Sequence, residues 1–122
     1  VESGKMVLKS SGVQRRDFIP MSSVCKILSS FFTKDKQTIG DGVFNVGSGQ
    51  SMTVWEMACL TQNRCEKQLN QKISLSRTGT SNKTIDLEYS IKKLEDTGIA
   101  IKVDHVNEID MLVNFCINNF CK

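Results

Sequence analysis

The segment Gly42-Val43-Phe44-Asn45-Val46-Gly47-Ser48-Gly49-Gln50-Ser51-Met52-Thr53-Val54-Trp55-Glu56 constrains this chain more than any other stretch. Val43, Phe44 and Val46 form a brief β-rich run bounded by glycines, a pattern that predicts a buried strand. Thr53-x-x-Glu56 matches a capping box, in which a hydroxyl and a carboxylate satisfy backbone N–H groups at a helix start. The segment therefore reads as strand, tight turn and helix. Such units occur at phosphate sites, where helix N–H groups and the helix dipole meet an anion, and also wherever a strand hands over to a helix.

The flanking sequence alternates helical and strand patterns. Lys5-Met6-Val7-Leu8-Lys9 predicts a short strand closed by the Ser10-Ser11-Gly12 turn, and Pro20 ends an extended segment that starts at Gln14. Ser22 or Ser23 then caps a helix with Val24, Ile27, Leu28 and Phe31 on one stripe, fading near Thr33 into a polar loop from Lys34 to Gly42. The helix opened by Thr53 carries Val54, Met57, Ala58, Thr61 and Cys65 on one face. Lys72 to Ser76 alternates as a half-buried strand does, and the polar stretch from Arg77 to Asn82 is a loop. A short helix fits Ser90 to Thr97 with Gly98 as its left-handed exit, and a last helix shows Val106, Ile109, Val113, Cys116, Ile117 and Phe120 on one stripe behind the cap Asp104. The class is α/β, with short strands alternating with about four helices, and 122 residues suit a single domain over 1–122.

Lys and Arg number 16 against 13 Asp and Glu, and the basic residues are scattered, which argues against a nucleic-acid tail and leaves a weak general attraction for anions. No apolar stretch approaches a membrane span, and the N-terminus lacks the charged-then-apolar order of a signal peptide, so the expected setting is soluble and cytoplasmic. Cys25, Cys59, Cys65, Cys116 and Cys121 lack a C-x-x-C pair and sit mostly in apolar helical patterns; they read as buried thiols, with metal or disulfide use as the alternative. The chain begins at Val1 rather than Met, which suggests a piece of something longer.

Four patterns resemble chemistry. Gly47-Ser48-Gly49 after a strand invites the dinucleotide fingerprint, but Met52 occupies the third glycine position and no acidic strand end follows at the required spacing, so the turn reads as scaffold. Tyr89-x-x-x-Lys93 has the spacing of a tyrosine acid/base beside a lysine, an arrangement that also arises by chance, and Cys65 stands near the place of the hydroxyl partner. His105, the single histidine, has no nucleophile motif beside it and reads as a surface residue near a helix cap. Arg16 lies in an extended segment and Arg77 opens a glycine loop. At such places a guanidinium fork can hold a diphosphate with paired charge-assisted bonds, and a solvated surface charge is the alternative that spacing alone leaves open.

Gln14-Arg15-Arg16-Asp17-Phe18-Ile19-Pro20 followed by Val43-Phe44-Asn45-Val46-Gly47-Ser48-Gly49 resembles the C-terminal third of the extended short-chain dehydrogenase family, the NAD-dependent nucleotide-sugar epimerases and dehydratases. Arg77-x-Gly79 is similar to that family's later R-x-G-D segment, with Thr80 in place of Asp, and the likeness runs from about Gly12 to Phe120. The resemblance implies a Rossmann-type fold and places Arg16 and Arg77 on the two arginines that grip a substrate diphosphate. It implies NAD(P) in the full-length enzyme, bound by an N-terminal cofactor portion absent here together with the catalytic Tyr-x-x-x-Lys. No catalytic, cofactor or metal residue is then expected in this chain, and it should not be active alone. The implied partners are a nucleotide-diphosphate sugar, the chain's own cofactor domain and a second copy of itself, with no nucleic acid and no membrane. The alternative is a non-catalytic nucleotide-sugar-binding or protein-interaction module derived from that family.

Overall fold

The computed structural model describes residues 4–79 and 90–120. Two small sheets organise them. Strands β1 (Lys5–Leu8) and β4 (Ser74–Arg77) run parallel, with Met6 opposite Leu75 and Leu8 opposite Arg77. Strands β2 (Arg15–Asp17) and β3 (Ser51–Thr53) run antiparallel, with Arg16 opposite Met52 and Asp17 opposite Ser51. Helices α1 (Met21–Phe31), α3 (Val54–Leu69) and α5 (His105–Phe120) form the bulk, joined by the single turns α2 (Lys36–Ile39) and α4 (Lys92–Glu95). The α/β class expected from the alternating pattern is observed.

The predicted strand over Val43–Val46 is not formed: the run is coil, and Val43 is exposed. Its apolar side chains are used differently. Phe44 and Val46 pack onto the buried cluster of Ile27, Leu94 and Ile99, with the Phe44 ring centred 4.9 Å from that of Phe31. A run this short becomes a strand only when a neighbour takes its ladder hydrogen bonds, and here the strand after the glycine turn, β3, pairs with β2 instead. The predicted loop before it contains α2, whose N-cap Asp35 accepts from the Thr38 N–H at 2.7 Å.

Between β2 and β3 the backbone is held by one carboxylate. Asp17 accepts from the Ser48 N–H at 2.8 and 2.9 Å and from the Gly49 N–H at 3.2 Å, so the end of β2 clasps the turn that leads into β3. Gly49 has φ +72°, and a Cβ there would lie 2.7 Å from the Ile91 side chain. Only glycine meets both conditions without strain.

Helix α1 is capped from outside its own sequence. Pro20 holds the N-cap position with no side-chain bond, so neither Ser22 nor Ser23 caps the helix as the pattern predicts. Glu108 of α5 instead accepts from the Met21 N–H at 2.9 Å, the Ser22 N–H at 3.4 Å and the Ser22 hydroxyl at 2.8 Å. A carboxylate at a helix N-terminus satisfies free donors and complements the dipole, and this one does so across the tertiary fold. Ser23 is buried and donates to the Lys102 carbonyl at 2.5 Å. Of the predicted apolar stripe on α1, Ile27 is fully buried and Leu28 is exposed.

Helix α5 also reaches α3. Arg64 makes a bidentate pair with Asp110, Nε to Oδ1 at 2.7 Å and Nη2 to Oδ2 at 2.5 Å. Beside it Cys65, Ile73 and Val113 form a second buried cluster, with Met6, Leu69, Ile109 and Ile117 packed on it. The predicted α5 stripe is right at its centre and wrong at its ends, where Val106 and Phe120 are exposed. Elsewhere the expected ends form: the capping box of Thr53 with Glu56 on α3, Asp104 accepting from the Asn107 N–H at 3.0 Å, and Gly98 at φ +73°.

Replacing the clasp should loosen the β2–β3 unit. Asp17→Ala leaves the buried Ser48 N–H without its acceptor and should cost about 1–3 kcal/mol, read as a lower urea midpoint. Acid should destabilise the chain for a related reason. The Arg64 hydrogen bond holds the Asp110 carboxyl below its ordinary 3.8, and the Thr53 backbone and side-chain bonds hold Glu56 below its ordinary 4.5. The folded state therefore binds fewer protons than the unfolded one in acid. Stability from these groups is complete above the ordinary carboxylate values and is lost as pH falls through the depressed ones. Urea midpoints should drop on going from about pH 7 to about pH 3, and Asp110→Asn should shrink that drop.

Candidate functional site

The start of α3 lies where a phosphate would be expected, and its donors are already used. The Val54 N–H donates to the Gln14 carbonyl at 3.1 Å, the Trp55 N–H to the Gly12 carbonyl at 2.9 Å, and the Glu56 N–H to the Thr53 hydroxyl at 3.1 Å. Glu56 returns a carboxylate to the Thr53 N–H at 2.6 Å and to its hydroxyl at 2.9 Å. In the glycine turn the Ser48 and Gly49 N–H groups face Asp17. An anion arriving at either place would have to displace an internal acceptor, which favours the scaffold reading of Gly47-Ser48-Gly49.

Arginine side chains offer the alternative. In β2 the side chains alternate: Arg15 and Asp17 are half-buried, while Arg16 between them is exposed. Arg15 donates from Nε to the Ser51 hydroxyl at 3.0 Å and from Nη2 to the Ser51 carbonyl, which makes it a structural link between β2 and β3. Arg16 has no such role. Its Nη1 donates to the neighbouring Arg15 carbonyl at 2.8 Å, and among the described residues no carboxylate pairs with it.

Arg77 is the last residue of β4, opposite Leu8 at the end of β1, rather than in the loop where the sequence reading puts it. The carboxyl ends of adjacent parallel strands are where open α/β sheets bind ligands. Its Nη1 donates to the Ser11 carbonyl at 3.1 Å, and its guanidinium carbon lies 4.6 Å from the centre of the Trp55 ring. The glycine two residues on makes this possible: a Cβ on Gly79 would sit 2.6 Å from the Ser10 Cα, so only glycine lets the chain run against Ser10 and Ser11.

Arg16 and Arg77 thus stand on different sheets, linked through the segment from Ser11 to Gln14 that receives bonds from Arg77 and from the start of α3. Trp55 and Ser11 have no signature in the sequence. An aromatic in the first turn of a helix reads as part of a packing face, and a backbone carbonyl carries no side-chain signal at all.

The other candidates lead elsewhere. Tyr89 and Thr80 lie outside the described residues, as does Cys121. Lys93 is on α4, ion-paired with Asp41 and 5.1 Å above the Phe44 ring. His105 opens α5 and lines a shallow recess of about 280 Å³ with Phe18, Pro20, Met57, Glu108 and Ile109. Cys25 is exposed and Cys59 and Cys116 are half-buried, so among the described cysteines only Cys65 matches the expected buried thiol, its pKa raised first of all by burial. Among the described residues the cysteines are free and no cluster of His, Cys, Asp and Glu could hold a metal ion. No described helix is long and apolar enough to cross a membrane.

No protein-family model and no curated protein matches the chain. Solved structures do. RMD from Pseudomonas aeruginosa, complexed with NADPH, superposes with a TM-score of 0.67 at 16% identity, over 92% of this chain and 35% of that one. The dTDP-glucose 4,6-dehydratase from Bacillus anthracis, in complex with NAD, gives a TM-score of 0.64 at 15% identity, over 97% of this chain and 36% of its own. The chain spans about a third of the length of these structures, and over nearly all of its own length it shares their α/β fold.

Proposed function

We propose that this chain is the C-terminal, substrate-binding portion of an NAD(P)-dependent nucleotide-sugar epimerase or dehydratase, in which Arg16 and Arg77 clamp the substrate diphosphate. The observation that carries the reading is the fold shared with a dTDP-glucose dehydratase over 97% of the chain. The two arginines add chemical support. Both are exposed, and among the described residues neither guanidinium is neutralised by a carboxylate, unlike Arg64, which Asp110 engages at two of its three nitrogens. An unneutralised, planar, permanently charged fork suits a diphosphate.

In this reading the cofactor loop and the Tyr/Lys pair belong to a preceding portion of the enzyme. When bound there, NAD(P) would supply a transient hydride acceptor that returns the hydride to the sugar, and Arg16 and Arg77 would hold the substrate's diphosphate in place. The chain alone binds a nucleotide sugar but turns nothing over. One observation favours the interaction-module reading: Met111, Leu112, Phe115 and Phe120 on α5 are each more than half exposed, a face that suits a protein partner.

Calorimetry with dTDP-glucose and UDP-glucose separates the two. Arg16→Ala and Arg77→Ala should each weaken binding about tenfold or more, as expected for loss of a hydrogen bond to a charged group. If the chain binds neither sugar and forms dimers in light scattering, the clamp is refuted and the interaction module stands.

A further inference from the structure

We infer that Trp55, the chain's single tryptophan, is a positioning residue that sets the Arg77 guanidinium for a diphosphate oxygen pair; this rests on the diphosphate reading above. Two neutral contacts define where that guanidinium sits. The Trp55 ring takes one face, with the guanidinium carbon 4.6 Å from the ring centre, inside the roughly 6 Å range of cation–π attraction. The Ser11 carbonyl takes one edge, through Nη1 at 3.1 Å. A planar group held by a face and an edge has fewer orientations open to it, and its remaining in-plane donors favour one direction.

The charge, meanwhile, is left intact. Neither a ring nor a carbonyl neutralises it, and no carboxylate pairs with Arg77 among the described residues. The contrast is Arg64, where Asp110 both orients and neutralises the fork. Fixed geometry with free charge is what an anion site requires, because the entropy of holding the side chain is spent before the ligand arrives.

Glycines on both sides build the support. A Cβ at Gly12, whose φ is +71°, would lie 3.1 Å from the Trp55 Cβ and 3.2 Å from its backbone nitrogen, so Gly12 brings Trp55 against the turn that follows β1. Gly79 brings the end of β4 against Ser10 and Ser11 from the other side. Arg77 is held where the two approaches converge.

The test uses the 122-residue chain and inorganic pyrophosphate, with affinity from calorimetry and the emission of Trp55 as a second readout. Emission should change on binding with the same dissociation constant that calorimetry gives. Trp55→Leu should weaken binding about two- to fivefold, and Trp55→Phe, which keeps an aromatic face, should restore most of it. In the Arg77→Met background Trp55→Leu should cost nothing further. An equal loss in that background, no loss in the Arg77 chain, or unchanged Trp55 emission at saturating pyrophosphate overturns the positioning role while the diphosphate reading stands. Failure of the unsubstituted chain to bind, or undiminished binding by Arg77→Met, overturns the Arg77 assignment and the inference with it.

Discussion

The Asp17 carboxylate is the interaction on which the rest of the architecture depends. Strands β2 and β3 are only three residues each, too short to hold their register by ladder bonds alone. Asp17 ties the end of β2 to the Ser48 and Gly49 N–H groups just before β3 begins. Once that clasp is closed, Gln14 and Gly12 offer their carbonyls to the first N–H groups of α3, and the helix starts in a defined direction. The exposed Arg16 is presented by the same strand, because a residue between two inward-facing neighbours must face out.

Helix α5 supplies the second constraint through two acidic residues that serve different neighbours. Glu108 caps α1, and Asp110 engages Arg64 on α3. Two positions apart, these side chains leave different sides of one helix and thereby set the position of the other two. Each carboxylate meets donors that would otherwise lack a partner, so the helices are joined by polar complementarity as well as by the cluster around Val113.

These internal bonds also explain why the candidate ligand contacts are side chains rather than backbone. The glycine turn and the α3 start have their N–H groups committed to Asp17, Thr53, Gln14 and Gly12. Arg16 and Arg77, the proposed ligand contacts, carry charges that no described carboxylate pairs with. Trp55 sits where it can serve both roles, opening α3 with its backbone and backing Arg77 with its ring.

Local sequence determined much of this. The capping box of Thr53 and Glu56, the Asp104 cap and the Gly98 exit are set among residues a few positions apart, and spacing encodes them; the α5 stripe was legible at its centre only. Arg16 and Arg77 were legible as candidates, Arg16 from its extended segment and Arg77 from its neighbouring glycine. Only the tertiary structure decided the rest. Val43–Val46 stays out of the sheets because β3 takes the pairing with β2. Ser22 does not cap α1 because Glu108 reaches it first. Arg77 belongs to a strand end backed by Trp55 and Ser11 rather than to a loop. In each case the deciding group lies tens of residues away in the chain, and a hydrogen bond or ring contact at that separation leaves no periodicity for a sequence to display.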